Sequence, residues 1–455
     1  MKPISLHPDN PHYFLFRGKP TVLITSAEHY GAVVNPDFDY RTYLDVLAEN
    51  DFNLTRLFVS GYWEAEKFLP WVGKQNTLYT KPGRLLCPWA RSTEPGYANG
   101  GNKFDLLRWD EKFFHRLKDF CNEAGRRNIV VEITLFCVVY IQENWEISPF
   151  NAVNNINGIG RIDFTQFTSG TEPVLLERQK AMVRKFVAEL AEFDNIFYEI
   201  LNEPYWDQGL VLPNVTTPAT DDWQKQILNT IKEAEKSLQS GHLIAQNIAN
   251  DYLKVVDPNP DVAILNFHYA FPAAVTDNFH LNRLISFDET RDSFNTDDRR
   301  HEAWTFMLAG GGLYNNLDWS FATDDPTGTG KVKQAGNIYN GTELRRQLSI
   351  LKKFLESFDF VSMSPAQNVV AEITPEITYY ALARPGYAYA VYLLKGNQAE
   401  VTLNVVPGRY QAEWLNPQTG AIDKSEKVKP ATGKLKLVSP PYNGDIALRL
   451  RRENP

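Results

Sequence analysis

Over roughly the first 360 residues, short apolar runs rich in β-branched side chains alternate with amphipathic stretches of helical spacing. The runs are Thr21–Thr25, Leu54–Val59, Ile129–Leu135, Ile196–Leu201, Leu243–Asn247, Val262–Phe267, Leu284–Phe287 and Leu313–Trp319. Between them, Asp39–Asn50 carries Tyr40, Tyr43, Leu44 and Leu47 on one helical face, and Asp110–Arg127 does the same with Phe113, Phe114, Leu117 and Phe120. Pro173–Phe193 opens on a proline, as helices often do. Trp223–Leu238, Asp297–Leu308 and Thr342–Phe358 complete the set. Strands alternating with helices predict a parallel sheet joined by crossovers. Eight such steps predict a (β/α)₈ barrel. Two connections, Asn250–Asp257 and Ala273–Leu281, are short, with room for about two helical turns each. Long insertions (60–109 and 138–172) follow strands two and three, on the side where such barrels keep their active sites.

Past about residue 360 the period changes. Val369–Ile373, Thr378–Ala383, Tyr387–Leu394, Val401–Val405, Gly408–Leu415, Lys434–Val438 and Ile446–Leu450 are short strands broken by turns such as Arg384-Pro385-Gly386. They predict a small antiparallel β-sandwich. The expected organisation is an N-terminal strand or hairpin over 1–20, a catalytic barrel over 21–360 and a sandwich over 361–455. The N-terminal piece either plugs the barrel bottom or pairs with the sandwich.

Composition trims the list of functions. Lys+Arg number 47 against 55 Asp+Glu, a net charge of −8 with no basic block. A nucleic-acid partner is not expected, because a phosphate backbone finds little to hold. No apolar run approaches the ~18 residues of a membrane span. The first ten residues lack an apolar signal core, so a cytoplasmic location is expected, or a periplasmic or secreted one if a signal was removed. Cys87, Cys121 and Cys137 are too scattered for a disulfide framework and read as buried free thiols. Aromatics reach 13%, with several of the 10 Trp in apparent loops.

Two strand ends carry chemistry. Phe197-Tyr-Glu-Ile-Leu-Asn202-Glu203-Pro204 runs an apolar strand into an acid, and Pro204 disfavours the helical region for Glu203. Leu284-Ile-Ser-Phe-Asp288-Glu289-Thr290 ends strand seven in two acids that compete for the inward direction, since side chains alternate. Glu289 is the favoured one and Asp288 the alternative. Carboxyls on strands four and seven face each other across a barrel mouth. Glycoside hydrolysis needs that pair: one acid with a raised pKa protonates the leaving oxygen while the other attacks the anomeric carbon.

These residues resemble clan A of the retaining glycoside hydrolases, a cellulase-like group of (β/α)₈ barrels. The resemblance rests on Arg56 in Asn-Leu-Thr-Arg-Leu, Asn202-Glu203, His268-Tyr269 in Asn-Phe-His-Tyr, Glu289, and Trp319 in Asn-Leu-Asp-Trp, all in the expected order. It implies Glu203 as acid/base and Glu289 as nucleophile, with no cofactor and no catalytic metal. Phe-Asp-Glu-Thr at strand seven departs from the usual glutamate followed by an aromatic or glycine. With Tyr410-Gln-Ala-Glu-Trp-Leu-Asn-Pro-Gln-Thr-Gly, the chain also looks like the apiosidase-like group, whose barrel precedes a sandwich labelled collagen-binding. Taken singly, Arg56 reads as a core ion pair, His268 as a structural histidine and Trp319 as packing. Their joint order is what points to a site.

In that reading Asn202 serves a sugar 2-hydroxyl, Tyr269 and Arg56 the nucleophile, His268 the acid/base, and Trp319 the flat floor for a sugar ring. Glu28, His29 and Tyr30, Tyr62 and Trp63, and Asn247 and Asn250 lie at the same end and are further candidates for substrate contact. Trp71, Trp89 and Trp145 either line outer subsites or anchor their loops. The expected partner is a carbohydrate, and the looped mouth favours exo action. A transglycosylase with the same residues and a non-catalytic carbohydrate-binding barrel are the alternatives.

Overall fold

Eight parallel strands form one continuous sheet in the computed structural model of the chain, which describes residues 2–64, 76–205, 216–291, 295–334 and 337–453. They are β1 (Leu23–Ala27), β2 (Leu54–Phe58), β3 (Val130–Thr134), β4 (Ile196–Glu199), β5 (Ile244–Asn250), β6 (Ile264–His268), β7 (Leu284–Glu289) and β8 (Leu313–Leu317). The ladder runs from β2 through β3 to β8 and then to β1. All eight expected runs are strands, their ends shifted by a few residues. Asn53 bridges the remaining gap between β1 and β2. Its side chain accepts from the Ile24 N–H (3.0 Å) and donates to the Val22 carbonyl (2.8 Å). The sheet is thereby drawn into a barrel.

Six long helices cover the barrel: α1 (Tyr40–Glu49), α2 (Glu111–Arg126), α3 (Pro173–Leu190), α4 (Pro218–Leu238), α5 (Thr296–Leu308) and α6 (Gly341–Glu356). Side-chain caps start them, as where Asp39 accepts from the N–H groups of Arg41 and Thr42, satisfying donors that a first turn leaves open. After β6 there is only Ala273–Thr276 and a single tight turn, Phe279–Leu281. The insertion after β2 contains a hairpin, Trp89–Pro95 with Asn102–Trp109, that the periodicity did not reveal. Its residues mix charges with apolar side chains, and its turn rests on Gly96, Gly100 and Gly101 at positive φ, where a side chain would be strained.

The N-terminal piece plugs the barrel bottom. Ser5–Leu6, Phe14–Phe16 and Lys19–Thr21 form a small antiparallel sheet. Ile4, Phe14 and Phe16 pack on Leu23, Leu54, Val130, Phe197, Ala245, Ile264, Leu284 and Leu313, one residue from each barrel strand. His12 stacks on Phe279 with ring centroids 3.6 Å apart, and its Nδ1 lies 2.9 Å from the Arg283 carbonyl oxygen. That nitrogen therefore carries the proton.

Beyond the barrel, a six-stranded antiparallel sheet (Ser364–Pro365, Thr378–Arg384, Ala388–Leu394, Asp445–Arg452, Tyr410–Leu415, Ile422–Val428, in spatial order) faces a three-stranded one (Val370–Ile373, Glu400–Asn404, Lys434–Val438). Val391, Leu393, Val401, Leu403, Trp414 and Leu448 fill the space between them. Ile422–Val428 is an edge strand missed in the sequence, because its polar residues occupy both faces. The sandwich grips α5. Trp304 stacks on Tyr392 at 5.1 Å, and the buried Arg300 forms a two-pronged ion pair with Asp445 (2.9 and 3.0 Å). The three cysteines are buried and unbridged. Among the described residues, no helix is long and apolar enough to cross a membrane.

Candidate active site

Both expected glutamates reach the same space. Glu203 follows the end of β4 by four residues and adopts φ +50. The sequence pointed away from the helical region there. The restriction imposed by Pro204 is met in the left-handed region, an uncommon choice outside glycine. Three side chains hold its carboxyl. Tyr140 donates to Oε2 at 2.6 Å, while His268 Nδ1 and the Tyr269 hydroxyl lie 3.1 and 3.3 Å from Oε1. The same Tyr269 hydroxyl donates to Glu289 Oε1 at 3.1 Å. One carboxylate oxygen of Glu203 and one of Glu289 lie within 4.8 Å of each other, with His268 completing the group.

A break in register separates the two acids of β7. Phe267 pairs with Phe287 but His268 pairs with Glu289, which leaves Asp288 as an extra residue. Such a bulge suspends strict alternation, and both side chains face inward. Glu289 meets Tyr269. Asp288 is fully buried beneath, 3.3 Å from Arg56 and 3.8 Å from His268 Nε2. There it joins Glu132 and Glu199 around the Asn266 amide, which donates to all three at 2.8–3.1 Å. Arg56 threads between the layers. It reaches Glu289 at 3.3 Å, Glu199, the Asn202 carbonyl oxygen at 2.8 Å and Thr134 at 3.1 Å. Its guanidinium lies over the Tyr30 ring at 4.7 Å.

Asn202 has its oxygen on Arg56 and its amide on the Tyr140 hydroxyl (2.7 Å). Trp319 lies just past β8, edge-on to His29 at 4.5 Å. Trp63 makes its contacts with Tyr79 and the Thr80 carbonyl, and no hydrogen bond or ring contact among the described residues links it to the pair. Glu28 is occupied structurally, accepting from Thr77 and the N–H groups of Gly31 and Ala32. Asn250 accepts from Tyr205 at 2.6 Å, and Asn247 is buried in β5. Trp89 packs on Phe150 and Trp145 on Phe167, the anchoring role. Trp71 lies outside the described residues. The sequence held no signal for Tyr140 or Cys137 as site residues, and both support Asn202 from the loop after β3. Nor did it for Glu64, whose carboxylate lies 3.2 Å from His29.

Comparison with known proteins bears on the fold. A solved structure described as "Glycoside hydrolase" superposes with a TM-score of 0.64 at 12% identity, over 99% of this chain and 97% of the other. A glycoside hydrolase family 5 structure from Bacteroides vulgatus ATCC 8482 gives 0.62 at 13% identity, over 99% and 93%. The fold is that of glycoside hydrolases. Residues 364–447 of this chain match the family described as "Putative collagen-binding domain of a collagenase". Among curated proteins, none matches the chain.

Within the barrel mouth the charges are tightly linked. Burial works against a charged His268, but Glu289, Asp288 and Glu203 around it raise its pKa to about 10. Burial also favours a neutral Glu203, yet hydrogen bonding and charge from His268 hold it below the usual 4.5. Burial, with repulsion from Glu203, raises Glu289 against the pull of His268 and Arg56. Of the pair, Glu289 is thus pushed toward its neutral form and Glu203 toward its charged form, the reverse of the directions expected for an acid/base at Glu203. Tyr269 and His268 both approach both carboxyls, so a proton has a short path between them. Two trios, Glu199–His268–Asp288 and Glu203–His268–Glu289, have donor atoms within 4.8 Å of one another, as a cation site would. Arg56 and the charged His268 already supply positive charge there.

Proposed function

We propose that the chain is a retaining glycoside hydrolase that cleaves O-glycosidic bonds of an oligo- or polysaccharide, with Glu203 as acid/base and Glu289 as nucleophile. The observation that carries this reading is the approach of the two carboxyls to within 4.8 Å around one shared tyrosine hydroxyl. Retention needs about 5–5.5 Å, whereas an inverting pair leaves ~6.5–9.5 Å for a water. A glycosidic oxygen docked on Glu203 draws the shared proton to that side and leaves Glu289 ionised for attack, with Arg56 and Tyr269 stabilising its charge. Cleavage gives a glycosyl ester on Glu289. Water, deprotonated by Glu203, then releases the sugar with its anomeric configuration retained. Trp319 offers an apolar face to the ring, and Asn202 holds Arg56 and Tyr140 in place beside the carboxyls.

Two measurements test the assignment. A 2-deoxy-2-fluoro glycoside should leave a covalent label on Glu289; a label on Asp288 refutes the nucleophile. Glu203→Gln should cut kcat by roughly 10²–10⁴ for substrates with poor leaving groups, while dinitrophenyl glycosides, which need no protonation, suffer far less. Equal losses on both would remove Glu203 from the acid/base role.

A further inference from the structure

The mouth holds a third carboxylate, Glu64, in the loop after β2. One oxygen lies 3.2 Å from His29 Nε2 and the other accepts from the Asn76 amide at 2.7 Å. His29 stands at the end of β1, with its ring at 79° to the Trp319 indole. Tyr30, beside it, lies under Arg56, which reaches Glu289 at 3.3 Å, and Tyr62 stands edge-on to Tyr140, which donates to Glu203. Glu64 and His29 therefore flank the residues that hold the two carboxyls.

An ion pair serving only to join two loops gains nothing from an open edge. Here each of the two side chains keeps 11% of its surface exposed. A carboxylate offers about four acceptor positions; His29 and Asn76 use two, which leaves the rest for incoming hydroxyls. A sugar lying flat on Trp319 projects its equatorial hydroxyls from its rim. An imidazole and a carboxylate standing across the edge of that indole meet them there. The surroundings are closed as well: Glu203, Glu289, Trp319, His29 and Glu64 are each no more than 9% exposed.

We propose that Glu64, braced by His29 and Asn76, accepts hydrogen bonds from neighbouring hydroxyls of a terminal sugar and ends the site beyond it, so that the enzyme releases single sugars from chain ends. This rests on the retaining glycoside hydrolase reading above. Recognition of this kind is strongly selective, because a substrate lacking the hydroxyl leaves a buried acceptor unpaired.

The test pairs Glu64→Gln with p-nitrophenyl glycosides and their 3- and 4-deoxy counterparts. For the wild-type protein, removing a recognised hydroxyl should lower kcat/KM about 100-fold or more. In the variant the parent and deoxy substrates should differ by less than about threefold, the non-additivity of two groups in contact. The ratio of dinitrophenyl to poor-leaving-group rates should stay unchanged, since protonation is untouched. On a linear tetrasaccharide of the preferred sugar, the first products should be monosaccharide and trisaccharide. An identical deoxy penalty in both proteins, or early disaccharide from the wild type, overturns the proposal. Labelling by the fluoro glycoside separates the causes. If wild type fails to label at Glu289, the retaining mechanism falls and this inference with it. If wild type and variant both label there while the deoxy penalty persists, the inference alone falls.

Discussion

Tyr269 places a single hydroxyl 3.3 Å from the Glu203 carboxyl and 3.1 Å from that of Glu289, and in the proposed mechanism this sharing sets the pH behaviour. There the active form holds one proton between the two. Glu203 is held below the ordinary 4.5 and Glu289 above it. Activity should therefore fall on the acid side as Glu203 also becomes protonated, and on the alkaline side as the pair loses its last proton. The profile of kcat/KM should be a bell with limbs on either side of 4.5. Tyr269→Phe should displace both limbs, whereas a purely structural tyrosine would leave them in place. Glu203 could be read from sequence because Asn-Glu-Pro closes an apolar strand. The inward turn of both Asp288 and Glu289 could not, because alternation fails at a bulge that only pairing with β6 reveals. Glu64 was invisible for a different reason: its meaning depends on His29 and Asn76, brought beside it by folding.

At the level of elements, the eight strands were legible because burial on both faces forces unbroken apolar runs. The hairpin over 89–109 and the edge strand over 422–428 were not, since neither buries a continuous face. The N-terminal plug was foreseen as one of two placements, and its aromatic residues matched to the first layer of the barrel decide for the bottom. Its attachment should be sensitive to acid. Burial lowers His12 to about 4 from 6.5, with its bond to the Arg283 carbonyl opposing. Above 6.5 the ring is neutral in both folded and unfolded chains. Between 6.5 and 4 only the unfolded chain takes up the proton, so stability is lost as pH falls through that window. His12→Gln, which keeps a donor for the carbonyl, should flatten the dependence of Tm on pH there. A variant with the same slope as wild type would assign the acid sensitivity elsewhere.

Across the whole molecule, barrel and sandwich share their packing. Leu382, Ala390, Tyr392 and Leu415 of the sandwich belong to the same apolar cluster as the barrel interior, and the Asp445 carboxylate accepts from Arg300 and from the Tyr392 hydroxyl (2.9 Å). Asp445→Asn removes the buried carboxylate and leaves the guanidinium only the more exposed Asp297 as counter-charge, which should cost about 3 kcal/mol in urea unfolding. A loss under about 1 kcal/mol would mean that water replaces the carboxylate readily. Arg300 and Trp304 both lie on α5, the helix that follows the strand bearing Glu289. Anyone paring this chain down to a minimal catalyst by cutting after residue 363 would strip an indole and a guanidinium bare on the scaffold behind the nucleophile. The trimmed protein would lose its shape before its chemistry, so the sandwich belongs in every engineered form.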